Sequence, residues 1–133
     1  MIDKLHNIQS LGVNHLKRVT SDKINELINY QKPITLVDSS EGIKWNMRKG
    51  YNTQVTLAGN RTISFQELTP GDYGTLKIIQ DNVGSRTLTL PSNSIVMGTG
   101  GTSTLTLSSA ANAIDIASIY YDGTTIFWNI SLY

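Results

Sequence analysis

A chain of 133 residues has the size of one domain, and eleven Lys+Arg against ten Asp+Glu leave a formal charge of +1. A balance this close to zero sets up no strong basic field for nucleic acid, and the lack of cysteine excludes disulfides, cysteine zinc sites and thiol nucleophiles together. No apolar run approaches the roughly 18 residues of a membrane-spanning helix, and the N-terminus lacks the apolar centre of a secretory signal. Neither nucleic acid nor membrane is therefore an expected partner.

The charge is unevenly spread. Residues 1–50 carry eight Lys/Arg and a net +3, whereas residues 51–133 carry a net −2 and 13 Thr with 9 Ser. In chain order, Ile2, Leu5, Ile8, Leu11 and Leu16 follow no clean period, and Gly12 interrupts them. An arm of this kind has no core of its own and needs a partner surface. Its apolar residues and cations, namely Lys4, Leu5, Ile8, Leu11, Leu16, Lys17 and Arg18, are the candidates for docking onto that partner. From Ser21 a helix is expected. Ser21 can cap its free N–H groups, Asp22 suits its positive end, and Ile24, Leu27 and Ile28 share a face before Pro33 ends it. About ten residues of helix are too few to be stable alone.

After Pro33 the period changes to two. Strands are expected at 34–38, 43–48, 53–57, 61–65, 74–80, 86–90, 94–97, 103–107, 113–121 and 124–132. The breaks between them hold turn residues such as Ala58-Gly59-Asn60, Thr69-Pro70-Gly71-Asp72 and Asp81-Asn82-Val83-Gly84. Asp122-Gly123 is the sharpest hairpin signal, read as a two-residue turn that needs positive φ. Short strands at this spacing predict a mainly β fold, an antiparallel β-sandwich or jelly roll over residues 34–133, preceded by the arm and one short helix in residues 1–33.

The last two strands divide into faces. Ile126, Trp128, Ile130 and Leu132 alternate with Phe127, Asn129, Ser131 and Tyr133, and Ile114, Ile116, Ser118 and Tyr120 alternate with Asp115, Ala117, Ile119 and Tyr121. Neither face is fully polar, so the second is expected to be buried against another subunit, or else beneath the arm. Phe127, Trp128, Ile119, Tyr121 and Tyr133 are the interface candidates.

The inventory for catalysis is thin. His6 and His15 stand nine residues apart in the arm without carboxylates in a metal-binding spacing, so no metal or cofactor is expected. The sequence holds no nucleophile elbow, no zinc helix and no calcium loop, and the glycine-rich stretch 97–102 lacks the Gly-Lys-Ser/Thr ending of a phosphate loop. Asp72, Asp81 and Asp122 occupy turns where they bond local backbone. Asp115 lies mid-strand and is expected to pair with Arg61 or Arg86 as a structural group. Exposed aromatics such as Tyr51 and Tyr73 could stack on sugars. Nothing in these patterns supports an enzyme.

The order of phrases is informative in another way. Residues 34–38, Ile43-Lys44-Trp45-Asn46-Met47 and Val55 through Ile63, then Gly74–Gln80 and Asp81 through Pro91, and finally Leu107-Ser108 through Asp115 and Tyr121-Asp122-Gly123-Thr124, resemble a recurrent pattern of bacteriophage fibre and appendage proteins. The resemblance covers about residues 34–133. It implies a β-sandwich that associates as a homotrimer on the surface of a phage particle, made in the bacterial host cytoplasm, with capsid, fibre or tail proteins as partners. It carries no active site. The chain has no long shaft and no added tip, which favours a short fibre, head-decoration or adaptor subunit over a host-adhesion module that recognises a surface glycan.

Overall fold

The computed structural model describes residues 20–25, 32–98, 101 and 104–131. The chain divides into two units, Met1–Lys32 and Pro33–Tyr133. Residues 20–25 lie in a helix, α1, so Ser21 is within the helix rather than ahead of it as a cap. Leu27, Ile28 and all the docking candidates (Lys4, Leu5, Ile8, Leu11, Leu16, Lys17 and Arg18) lie outside the described residues.

Among its described residues, the second unit is a two-sheet β fold of ten strands: β1 (Ile34–Thr35), β2 (Ile43–Asn46), β3 (Asn52–Leu57), β4 (Arg61–Gln66), β5 (Tyr73–Gln80), β6 (Leu88–Thr89), β7 (Ser94–Val96), β8 (Thr104–Leu105), β9 (Ile114–Tyr121) and β10 (Ile126–Ser131). Each expected strand has its counterpart. β1 is shorter than expected because Asp38 is drawn out of the extended run. Its carboxylate accepts Arg61 Nε at 2.7 Å and the Ala58 N–H at 3.3 Å, which holds the chain in a corner.

One sheet has six strands in the order β1-β3-β5-β9-β10-β7, and the other has four in the order β2-β4-β6-β8. The expected antiparallel pairing is corrected here. β1–β3, β3–β5, β2–β4, β4–β6 and β7–β10 are parallel, while only β5–β9, β9–β10 and β6–β8 are antiparallel. The cause is where the turns lead. From β1 to β6 each connection carries the chain across to the opposite sheet, so β1, β3 and β5 in one sheet and β2, β4 and β6 in the other are each a full circuit apart and run the same way, whereas β8 enters antiparallel to β6. Turn residues mark a reversal of path equally well at a hairpin and at a corner between sheets. The one hairpin within a sheet, β9 to β10, is also wider than expected. Tyr121 pairs with Ile126, and the four residues between them are held by Asp122 Oδ1, which accepts the Thr124 N–H at 2.8 Å and the Thr125 N–H at 2.7 Å.

The inward residues of both sheets meet in one core that includes Ile43, Trp45, Met47, Leu57, Ile63, Leu76, Ile78, Leu88, Ile126 and Trp128. Three aromatic rings bridge the layers. Phe65 of the four-stranded sheet lies 5.3 Å from Trp45 of the same sheet and 5.9 Å from Trp128 of the six-stranded sheet, measured between ring centroids. Both indoles are fully buried, and both find an acceptor: Trp45 Nε1 donates to Gly50 O at 2.9 Å and Trp128 Nε1 to Ser94 Oγ at 3.1 Å. Gly74 makes room for Trp45. A Cβ at that position would lie 2.7 Å from both the indole and the Tyr51 carbonyl oxygen.

Buried polar groups close the corners of the coil. Gln80 is buried between two loops, donating to Arg86 O at 3.0 Å and Ser108 O at 3.1 Å, and accepting the Arg86 N–H at 2.9 Å. Asp115 is buried too, and corrects a second expectation. It accepts the Ser108 N–H and hydroxyl, each at 2.7 Å, whereas Arg61 pairs with Asp38 and Arg86 with Asp81.

Trp128→Ala should lower stability by about 3–5 kcal/mol, the usual cost of emptying a fully buried aromatic site. Denaturant unfolding followed by tryptophan fluorescence from the remaining Trp45 measures it.

Candidate interaction face

Alternation along each strand gives the two sheets very different outer surfaces. On the four-stranded sheet the outward residues are Lys44, Asn46, Thr62, Ser64, Gln66, Thr89 and Thr104, all polar. On the six-stranded sheet they include Tyr73, Ile79, Ile95, Ile114, Ile116, Tyr120 and Phe127. Strand register joins these into bands. Tyr73 lies opposite Tyr120, Tyr120 opposite Phe127, and Phe127 opposite Ile95, which makes one row across β5, β9, β10 and β7. Thr75, Ser118 and Asn129 form the next row, and Lys77, Ile116 and Ser131 the one after it. Ile79 opposite Ile114 closes the patch.

The row is well exposed: Tyr73 at 64%, Tyr120 at 51% and Ile95 at 39%, with Ile116 at 42% further along β9. Scattered apolar residues on a surface carry no message, but a contiguous patch of this kind does. At one end the row is anchored from behind. The Tyr51 ring lies 5.6 Å from that of Tyr73, and the Arg48 guanidinium sits 5.9 Å from the Tyr51 ring centre while donating to Asp72 Oδ1 at 2.7 Å. Asp72 also accepts the Thr69 N–H at 2.8 Å, so this corner is fixed by a carboxylate with three different donors, the Tyr51 hydroxyl being the third at 3.3 Å.

The face assignment corrects part of the expected interface. Trp128 and Ile119 are buried in the chain's own core and present nothing to a partner. Tyr121 is half-buried, with its hydroxyl donating to Gly123 O at 2.8 Å. Phe127 does point outward, and Tyr133 lies outside the described residues. The residues that the sequence reading missed are Tyr73, Ile95, Ile114, Ile116 and Tyr120. Their alternation is visible in the sequence, but alternation leaves open which of the two sets on β9 faces the core, and the hydrogen bonds of Ser108 to a buried Asp115 go with Ile114, Ile116 and Tyr120 on the outside.

Among the described residues, no three His, Asp or Glu side chains converge as metal ligands would. An open groove of about 430 Å³ runs between the edge strands β1 and β2, over Leu36 and Trp45, with Lys44 and Lys49 at its rim. Among the described residues that line it, Glu41 is the single carboxylate. No family model, curated protein or solved structure matches this chain.

The ionised groups instead hold loops. Asp81 accepts hydrogen bonds from the Arg86 side chain and from the Gly84 and Val83 N–H groups, which lower its pKa from 3.8 to about 2. The N–H groups of Thr125 and Thr124 lower that of Asp122 in the same way. A depressed carboxylate pKa contributes stability that is complete above the ordinary value and is lost as pH falls through the depressed one. The melting temperature should therefore fall as pH drops from about 4 to about 2. Asp81→Asn should melt lower than the natural chain at neutral pH and lose less on acidification, as thermal scans across that range would register.

Proposed function

We propose that this chain is a structural subunit of a bacteriophage particle, a short fibre, head-decoration or adaptor protein. It docks through the arm and helix of residues 1–33 and trimerises through the β domain of residues 34–133. The observation that carries this reading is the contrast between the two outer faces of the β fold, one polar throughout and one lined with Tyr, Ile and Phe. A domain that stayed single would gain nothing from the second face. The phage setting rests on the phrases shared with fibre and appendage proteins, and the division of labour rests on the basic, aperiodic arm. The absence of any assembled catalytic group among the described residues is compatible with a structural role and adds no weight to it.

A second reading, a module that binds host surface glycan, has one observation in its favour: the exposed Tyr73 and Tyr120 beside Tyr51 offer flat rings of the kind that stack on sugars.

Light scattering on the full chain should give a mass near three chains. Removing residues 1–20 should leave that mass and the β-rich circular dichroism intact while abolishing incorporation into particles, and docking of the full chain should weaken with salt. A truncated protein that still decorates particles places attachment in the β domain instead. Retention on a glycan array at millimolar to micromolar strength, with no self-association, would favour the second reading.

A further inference from the structure

We propose that the outer face of the six-stranded sheet is the surface on which copies of this chain meet, with Tyr73, Tyr120, Phe127 and Ile95 as its buried centre. This rests on the self-association reading above and assigns its location. Three observations point to a second copy as the occupant.

The first is charge. Among the outward positions of the six strands, Lys77 is the single ionisable group with a formal charge, and it is half-buried beside Ile116 and Gln54 in the register. A nucleic acid or an anionic lipid surface would ask for a cluster of cations. A cationic partner would ask for acids. A face with almost no charge is compatible above all with an equally uncharged face, and each copy carries one.

The second is size. The six strands hold 33 residues, which at about 3.3 Å per residue and about 4.8 Å between strands give a face of roughly 500 Å² per copy, nearly two thirds of the ~800 Å² per partner of a standard specific interface. The third is composition within the face. Two tyrosines and a phenylalanine form a continuous row, the type of rigid aromatic anchor that dominates interface energetics, and Thr75, Ser118 and Asn129 behind it supply hydrogen-bonding groups that copies can exchange. The four-stranded sheet, built from the same chain with the same alternation, has no aromatic on its outer face and serves as the internal control.

The test uses the full chain. Ile116→Lys and Tyr120→Lys place a charge where the copies meet and should weaken assembly by about a hundredfold or more in light scattering, with the circular dichroism unchanged. Ser64→Lys, on the polar sheet, should leave assembly as it is. Because the chain has no cysteine, Ser118→Cys and Ser64→Cys introduce single thiols for a labelling reagent, and a swap of one small residue for another decides the matter even if the lysine variants fail to fold. In the proposed arrangement the thiol at 118 is protected in the assembly and the thiol at 64 reacts freely. If the natural chain is monomeric with an open thiol at 118, self-association itself is wrong and the assignment falls with it. If the chain assembles but both thiols react alike and the lysine variants stay assembled, this face alone is wrong. If the thiol at 118 is protected in a monomer and becomes reactive when residues 1–20 are removed, the arm covers the face and the proposal is overturned.

Discussion

The structure turns on three aromatic rings held between two sheets. Phe65 touches Trp45 within its own sheet and Trp128 across the interior, so it links layers that share no hydrogen-bonded strand pair. That arrangement makes demands elsewhere. Each indole N–H needs an acceptor, which Gly50 O and Ser94 Oγ provide, and the strand opposite Trp45 must carry no side chain at Gly74. Large rings in a thin sandwich leave little tolerance, because interiors pack at crystal-like density and the neighbours can relax only in part.

Around this centre the chain crosses from one sheet to the other at almost every turn. Such a path builds parallel neighbours without helical crossovers, and it moves the structural burden onto the corners. There the backbone leaves its ladders, and its polar groups must be met by side chains. Asp38 with Arg61, Asp81 with Arg86, Gln80 between two loops and Asp115 with Ser108 perform that task. Among the described residues no buried side-chain nitrogen or oxygen is left without a partner. The charged residues of the β domain are thus largely committed to folding, and the broad surfaces of the sheets, apart from Lys44 on one and Lys77 on the other, are left to residues without charge.

That commitment shapes what the domain offers to others. With the ion pairs gathered at corners, the outer faces differ through their uncharged side chains alone. Thr, Ser and Gln on the four-stranded sheet exchange freely with water, whereas Tyr, Ile and Phe on the six-stranded sheet do so at a cost that association would remove. Recognition built this way depends on shape and apolar area more than on electrostatics.

Strand positions were determined locally. Period-two alternation is a property of the extended chain itself, so the segments 74–80 and 113–121 could be placed from side-chain order alone, each within one residue of its strand. So could the mainly β class and the partition of each strand into two sets of residues. Which set faces the core is a single binary choice that alternation leaves open, and in β9 it was settled by Ser108, seven residues away, whose N–H and hydroxyl make a buried Asp115 tolerable. Pairing direction was likewise undetermined, since a Gly-Asn or Pro-Gly turn bends the chain without specifying the sheet it enters. Both decisions belong to the tertiary structure. They depend on where distant segments arrive, and the contacts that fix them (Trp128 against Phe65, Asp38 against Arg61, Gln80 against Ser108) join residues the sequence keeps far apart.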